Sequence, residues 1–289
     1  MYPQKTLHAL CLSFLFLSPP IMASDETATE EETYAEETLN AADVARELAN
    51  PNTSLASLVF KNQYITFTGD LPDAGAQTSA LTIFQPILPF PLESGSQVIF
   101  RPAIPVIWDA PAGNSFNSES GIGDISFDLV YALKSDNGFI TALGVASTLP
   151  TATNGKLGNN KFSLGPDILF GRVTKEYVLG LNPSHQWSLL GSGDKNTSSS
   201  RVQLFAALLL GEGWNVGSQP IITYDWKQSE WEIPLNLIVS KTVMIGGRPW
   251  KLGTELNYYV DQNDDFGPRW MFGINITPVI TNGLATLFQ

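Results

Sequence analysis

The chain of 289 residues is 43% hydrophobic and only 15% charged, and it carries a formal net charge of −12. That length accommodates one large barrel or two modest domains. The absence of a basic patch argues against nucleic acid as a partner, and no apolar run reaches the roughly 20 residues of a membrane-spanning helix.

Residues 1–23 read as a secretory signal peptide. Lys5 supplies the charged start, residues 10–17 the apolar run, and Ala23 with Ser24 a small-residue cleavage site. The single cysteine, Cys11, falls inside this segment, so the rest of the chain has no thiol for disulfides or metal. Lipoprotein processing at Cys11 is the rival reading, but Leu10 precedes it where a small residue is expected.

Residues 24–60 form an acidic leader. Nine acids between residues 25 and 50 face Arg46 alone, which places −8 of the total −12 there. Such a segment is a solvated leader or an acidic binding arm. Within it Leu39, Ala42, Val44 or Ala45, Leu48 and Ala49 fall at helical spacing and predict a short helix, inside a barrel or at its periplasmic mouth.

From residue 61 to residue 289 the pattern changes to a period of two. Twelve alternating segments follow, at 62–68, 80–89, 97–108, 122–134, 139–149, 161–173, 177–190, 200–210, 214–225, 231–243, 250–260 and 269–278. In "GIGDISFDLVYALK" (121–134), Asp124, Ser126, Asp128 and Lys134 alternate with Ile125, Phe127, Leu129, Tyr131 and Leu133. A soluble sandwich turns the apolar parity into a core, and a transmembrane barrel turns it to lipid. Connections alternate between longer ones such as "PTATNGKLGNN" and tight ones such as "TKE" and "GEG", with "WKQSE" and "MIGGRP" fitting less cleanly. An all-β, up-and-down antiparallel transmembrane β-barrel of about twelve strands, with short periplasmic turns and longer outer loops, produces this order.

Seven tryptophans, Trp108, Trp187, Trp214, Trp226, Trp231, Trp250 and Trp270, sit at or near strand ends. There an indole keeps its ring in apolar surroundings and its N–H among headgroups. Charges on the polar parity are expected to line the lumen and pair within it, namely Arg101, Asp124, Asp128, Lys134, Asp167, Arg201, Asp225, Glu232, Lys251, Glu255 and Arg269. Mixed signs of this kind make either a salt-bridged filling or a solute path.

The segments "TIFQPILPF", "RPAIPVIW", "GIGDISF", "LGNNKFSLGP", "HQWSLLG", "GWNVGSQPIITYDW" and "GPRWMFGINIT", in this order, resemble a bacterial outer-membrane β-barrel family of transporters labelled phenol-degradation MetA-pathway-like. The resemblance implies the outer membrane of a Gram-negative bacterium, contact with outer-membrane lipid, and a loose association with uptake of small, often hydrophobic or aromatic, compounds.

Little else in the chain carries chemistry. His185 is the only histidine after the signal, with Ser184, Ser188 and Asn182 nearby, but Ser184 adjoins it on the opposite strand face. One histidine without cysteine makes no metal site, and the Gly-x-Gly of "GIGD" opens a strand without a following helix. No cofactor and no catalytic residue are expected. A porin-like passive channel for small molecules is the leading expectation, a closed structural or interaction barrel the alternative, and an outer-membrane hydrolase the third.

Overall fold

The computed structural model describes residues 40–113, 115–193 and 196–285. The signal peptide expected at 1–23 and the leader up to residue 39 lie outside the described residues. Alternation yields fourteen strand segments: Ala56–Thr68 (β1), Thr78–Pro91 (β2), Gln97–Ala112 (β3), Asn117–Ile122 (β4), Ser126–Ala132 (β5), Phe139–Thr148 (β6), Lys161–Val173 (β7), Tyr177–Gly191 (β8), Ser198–Gly211 (β9), Trp214–Ser218 (β10), Ile221–Asp225 (β11), Glu230–Ile245 (β12), Arg248–Asp261 (β13) and Gly267–Ile280 (β14).

All ladders are antiparallel, and β1 pairs with both β2 and β14, so the sheet closes on itself. β4 and β5 both pair with β3, while β10 and β11 both pair with β9 and β12. Each couple is one interrupted wall strand, which makes a closed barrel of twelve strands and agrees with the sequence expectation. The second interruption falls at Gln219–Pro220, where proline has no N–H for the ladder. Pairing also lapses between Phe84–Ile104 and Leu88–Phe100, a stretch that contains Pro86 and Pro102.

Turn chemistry sets the two ends apart. The "MIGGRP" connection is tight in the structure, because only Gly246 and Gly247 separate β12 from β13, with φ of 60° and 74°. Two consecutive left-handed residues suit a two-residue hairpin, and glycine takes them without steric cost. At the opposite end the 149–160 loop is folded back onto the wall. Asp124 accepts from the N–H groups of Thr151, Ala152 and Asn159, and Glu119 accepts from Asn154 and Lys156.

The apolar parity faces outward. Leu129, Leu143, Leu179, Leu208, Leu235, Phe272 and Ile274 are all exposed, and six of the seven tryptophans are at least 38% exposed. A water-soluble chain rarely exposes so continuous an apolar surface, whereas a barrel in lipid requires it. Trp108, Trp187, Trp226, Trp231 and Trp270 lie toward the long-loop end, and Trp214 and Trp250 toward the short-turn end. The barrel wall thus carries two aromatic levels.

The helix Ala41–Glu47 (α1) is capped by Asn40, whose side chain accepts from the Asp43 N–H. It packs against β9, β10, β12 and β13 with Val44 and Ala45 buried. β1 starts at Ala56 rather than residue 61, and 40–60 belong to the same compact unit as the barrel. The earlier start follows from Ser57, Val59 and Lys61 alternating with Leu58 and Phe60, which extends the period-two pattern upstream.

Facing is tested by one basic residue on each parity. Leu129→Arg on the outer face is expected to lower the urea unfolding free energy in lipid vesicles by about 2–4 kcal/mol. Ser126→Arg, on the inner parity of the same strand, is expected to change it by less than half as much. Equal losses would contradict the assigned facing.

Candidate functional site

The inner parity of β1, β2, β3, β5, β8 and β9 brings Lys61, Gln85, Arg101, Asp128, Asn182 and Gln203 to one level of the lumen. These six residues are common to the walls of two chambers, one of about 210 Å³ toward α1 and one of about 200 Å³ toward the long loops. The chamber near α1 adds Lys251 and an apolar side of Val59, Ile87, Leu169, Phe205 and Ile238. The other adds Arg201, Ser126, Ser184 and Gln186. Phe205 owes its place to a facing glycine pair: a Cβ on Gly180 would stand 2.3 Å from its ring, and one on Gly171 3.1 Å.

Arg101 is the hub. Its Nε stands 3.8 Å from Asp128 Oδ2 and its Nη2 stands 4.0 Å from Asp167 Oδ2. Both distances exceed hydrogen-bond length, and neither nitrogen has a hydrogen-bond partner although the side chain is only 10% exposed. Asp167 is fixed from the other side, where its Oδ1 accepts from Asn182 Nδ2 at 2.5 Å.

Toward the short-turn end the lumen is filled. Ile99, Val130, Ala132, Ile140, Ala142, Leu169, Val178 and Phe205 form an apolar cluster that includes Ala49, just after α1. The segment from α1 to Thr53, which enters the lumen as a plug does, is held by a few polar contacts: Asn215 Nδ2 donates to the Ala45 carbonyl, Lys251 Nζ to that of Leu48, and Gln97 Nε2 to those of Asn52 and Thr53.

The residues expected to line the lumen divide into three groups. Arg101, Asp128, Arg201 and Lys251 stand in the chamber walls, with Asp167 directly behind Arg101. Glu255 accepts from Asn236 and Asn275 at 3.0 Å each, and Glu232 lies opposite Thr223 in the ladder. The remaining four, Asp124, Lys134, Asp225 and Arg269, are not among the residues of the chamber walls. Asp124 anchors the 149–160 loop, and Asp225 caps the 225–230 turn by accepting from the N–H groups of Lys227 and Gln228. Lys134 sits at a short turn beside Asp136, and the Arg269 guanidinium lies over the Tyr258 ring at 4.6 Å. Each lies close to a strand end, where a side chain reaches loops or rims instead of the chambers.

Lys61, Gln85 and Gln203 were not among the expected residues. Lys61 lies at even spacing from Ser57 and Val59, one residue before the predicted segment 62–68 and inside β1. Ser184, His185 and Asn182 are not brought together: His185 Nδ1 meets Ser200 Oγ at 2.8 Å and its ring packs on Trp187, whereas Ser184 and Asn182 face the lumen. The nearby hydroxyl is therefore from β9, and Ser188 instead bonds Thr197.

No family model and no curated protein matches the chain. Among solved structures it is similar to an outer-membrane channel from Pseudomonas putida F1, with 16% identity, a TM-score of 0.59, and coverage of 78% of this chain and 95% of that one. Looser likenesses are to the NanC porin (10% identity, 78% and 99% covered, TM-score 0.49) and to outer membrane phospholipase A from Escherichia coli (10%, 83% and 98%, 0.44). At these identities the likeness is one of fold.

The coupling of Arg101 to Asp167 is measurable. Arg101→Met alone strands a buried carboxylate and is expected to cost about 3–5 kcal/mol in unfolding free energy. Adding Asp167→Leu is expected to recover most of that loss, and additive losses in the double variant would show that the two groups do not interact.

Proposed function

We propose that the chain is a porin-like passive channel in the outer membrane of a Gram-negative bacterium, exported by the signal at 1–23 and passing small apolar or aromatic molecules. Its short turns face the periplasm and its long loops the exterior. The observation that carries this reading is the pair of chambers: a purely structural barrel gains nothing from leaving two solute-sized spaces with a shared wall of six residues. Barrels near eight strands are filled by side chains, and those of sixteen or more leave an open aqueous channel. Twelve strands with a plug occupy the interval between these, which suits small solutes and slow passage.

The apolar filling around Ala49 supports the second reading, a barrel closed at its short-turn end. The two separate in planar lipid bilayers. The whole protein is expected to give small, infrequent conductance steps. Lys251→Met with Asn215→Leu, which removes two ties to the plug, is expected to make openings more frequent, and deletion of residues 40–53 to enlarge the steps. Silence from all three proteins would favour the closed barrel.

A further inference from the structure

We propose that the two chambers form a binding site for small organic carboxylates, an anionic head held at Arg101 and Lys61 and an apolar body laid toward Phe205. The proposal rests on the channel reading for its physiological meaning, although the site itself is defined by geometry alone. Three observations converge on it.

The first is charge. The charged residues in the walls of the chamber near α1 are Lys61, Arg101, Lys251 and Asp128, and those of the other are Lys61, Arg101, Arg201 and Asp128. Each chamber therefore has three cations and one anion in its walls. Asp167 behind Arg101, Glu255 near Lys61 and Glu232 near Arg201 stand outside the walls and offset this excess from behind, so the positive excess is confined to the chamber surfaces.

The second is unsatisfied donors. Arg101 Nε and Nη2 are buried without an acceptor. Lys61 has Glu255 and Asp128 as carboxylate neighbours and Arg201 has Glu232, but neither cation closes a salt bridge with them. Buried donors left open carry a desolvation penalty, and a guanidinium presents a planar fork that matches a carboxylate. A bound carboxylate relieves the penalty, with the side-chain amides of Gln85 and Gln203 beside it.

The third is shape. The chamber near α1 has the more apolar wall, with Val59, Ile87, Leu169, Phe205 and Ile238 against Ile83, Phe127 and Ile221 in the other, and it adjoins the level of Lys61 and Arg101 directly. A volume of about 210 Å³ is below the 300–1,000 Å³ usual for drug-sized ligands. A compact monocarboxylate such as benzoate satisfies both surfaces at once. A neutral aromatic leaves the donors open, and a cation adds repulsion.

Titration calorimetry on the full-length protein in detergent tests the site without requiring transport. Benzoate is expected to bind roughly tenfold or more tightly than benzyl alcohol, the ratio that one charge-assisted hydrogen bond supports. Benzylamine is expected not to bind, and inorganic phosphate, lacking an apolar body, to bind more weakly than benzoate. Lys61→Gln and Arg201→Gln are each expected to weaken benzoate about tenfold while leaving β-structure and resistance to unfolding in detergent unchanged. Because Arg101 is also structural, it is probed as Arg101→Gln with Asp167→Asn, which keeps the buried charge balanced.

Equal affinity for benzoate, benzyl alcohol and benzylamine, or undiminished benzoate binding in Lys61→Gln and Arg201→Gln, would overturn the proposal. Benzoate binding by a protein silent in bilayers would leave the site standing and remove the channel. Conductance without benzoate preference would do the reverse.

Discussion

The constraint on which the rest of the structure depends is the satisfaction of backbone hydrogen bonds without water. In the hydrocarbon core each unpaired N–H or C=O costs several kcal/mol, so a strand that crosses must be paired on both sides. The β1–β14 ladder, from Ala56–Ile280 to Thr68–Gly267, removes the edges an open sheet would leave. Once the sheet is closed, the period of two assigns every side chain to lipid or lumen. The exposed leucines and tryptophans and the buried Arg101 and Asp167 are thus two consequences of one closure.

Closure also explains why the interior is polar yet partly filled. Charges barred from the lipid face collect inside, where they balance only incompletely: Arg101 reaches two carboxylates at salt-bridge distance without a hydrogen bond to either. At the short-turn end the plug and small inward residues such as Ala132 and Ala142 let apolar side chains meet across the lumen. The same barrel therefore holds an apolar floor and a charged middle level.

The fold was largely legible in the sequence because alternation is a local signal repeated twelve times. The Asp128 and Leu129 parities, the tight "TKE" turn and the tryptophans at strand ends are all readable within a few residues. The site was less legible, for reasons of distance along the chain. Lys61 and Arg101 meet only because β1, β2 and β3 are in register, and no spacing in the sequence encodes that. Arg269 and Asp225 share the inner parity but sit near strand ends, where parity no longer fixes what a long or hydrogen-bonding side chain touches. The helical spacing around Val44 showed a helix, while its docking on β9, β10, β12 and β13 required the assembled barrel.

The central claim is closure, and amide hydrogen exchange in lipid nanodiscs addresses it most directly. In a closed barrel the amides of Tyr64 and Phe272, at the seam where the chain's first and last strands meet, exchange as slowly as those of Phe170 and Leu181 in the mid-wall β7–β8 pair. Fast exchange at the seam alongside slow exchange at Phe170 would mean an open sheet, and the facing of the lumen would have to be abandoned with it.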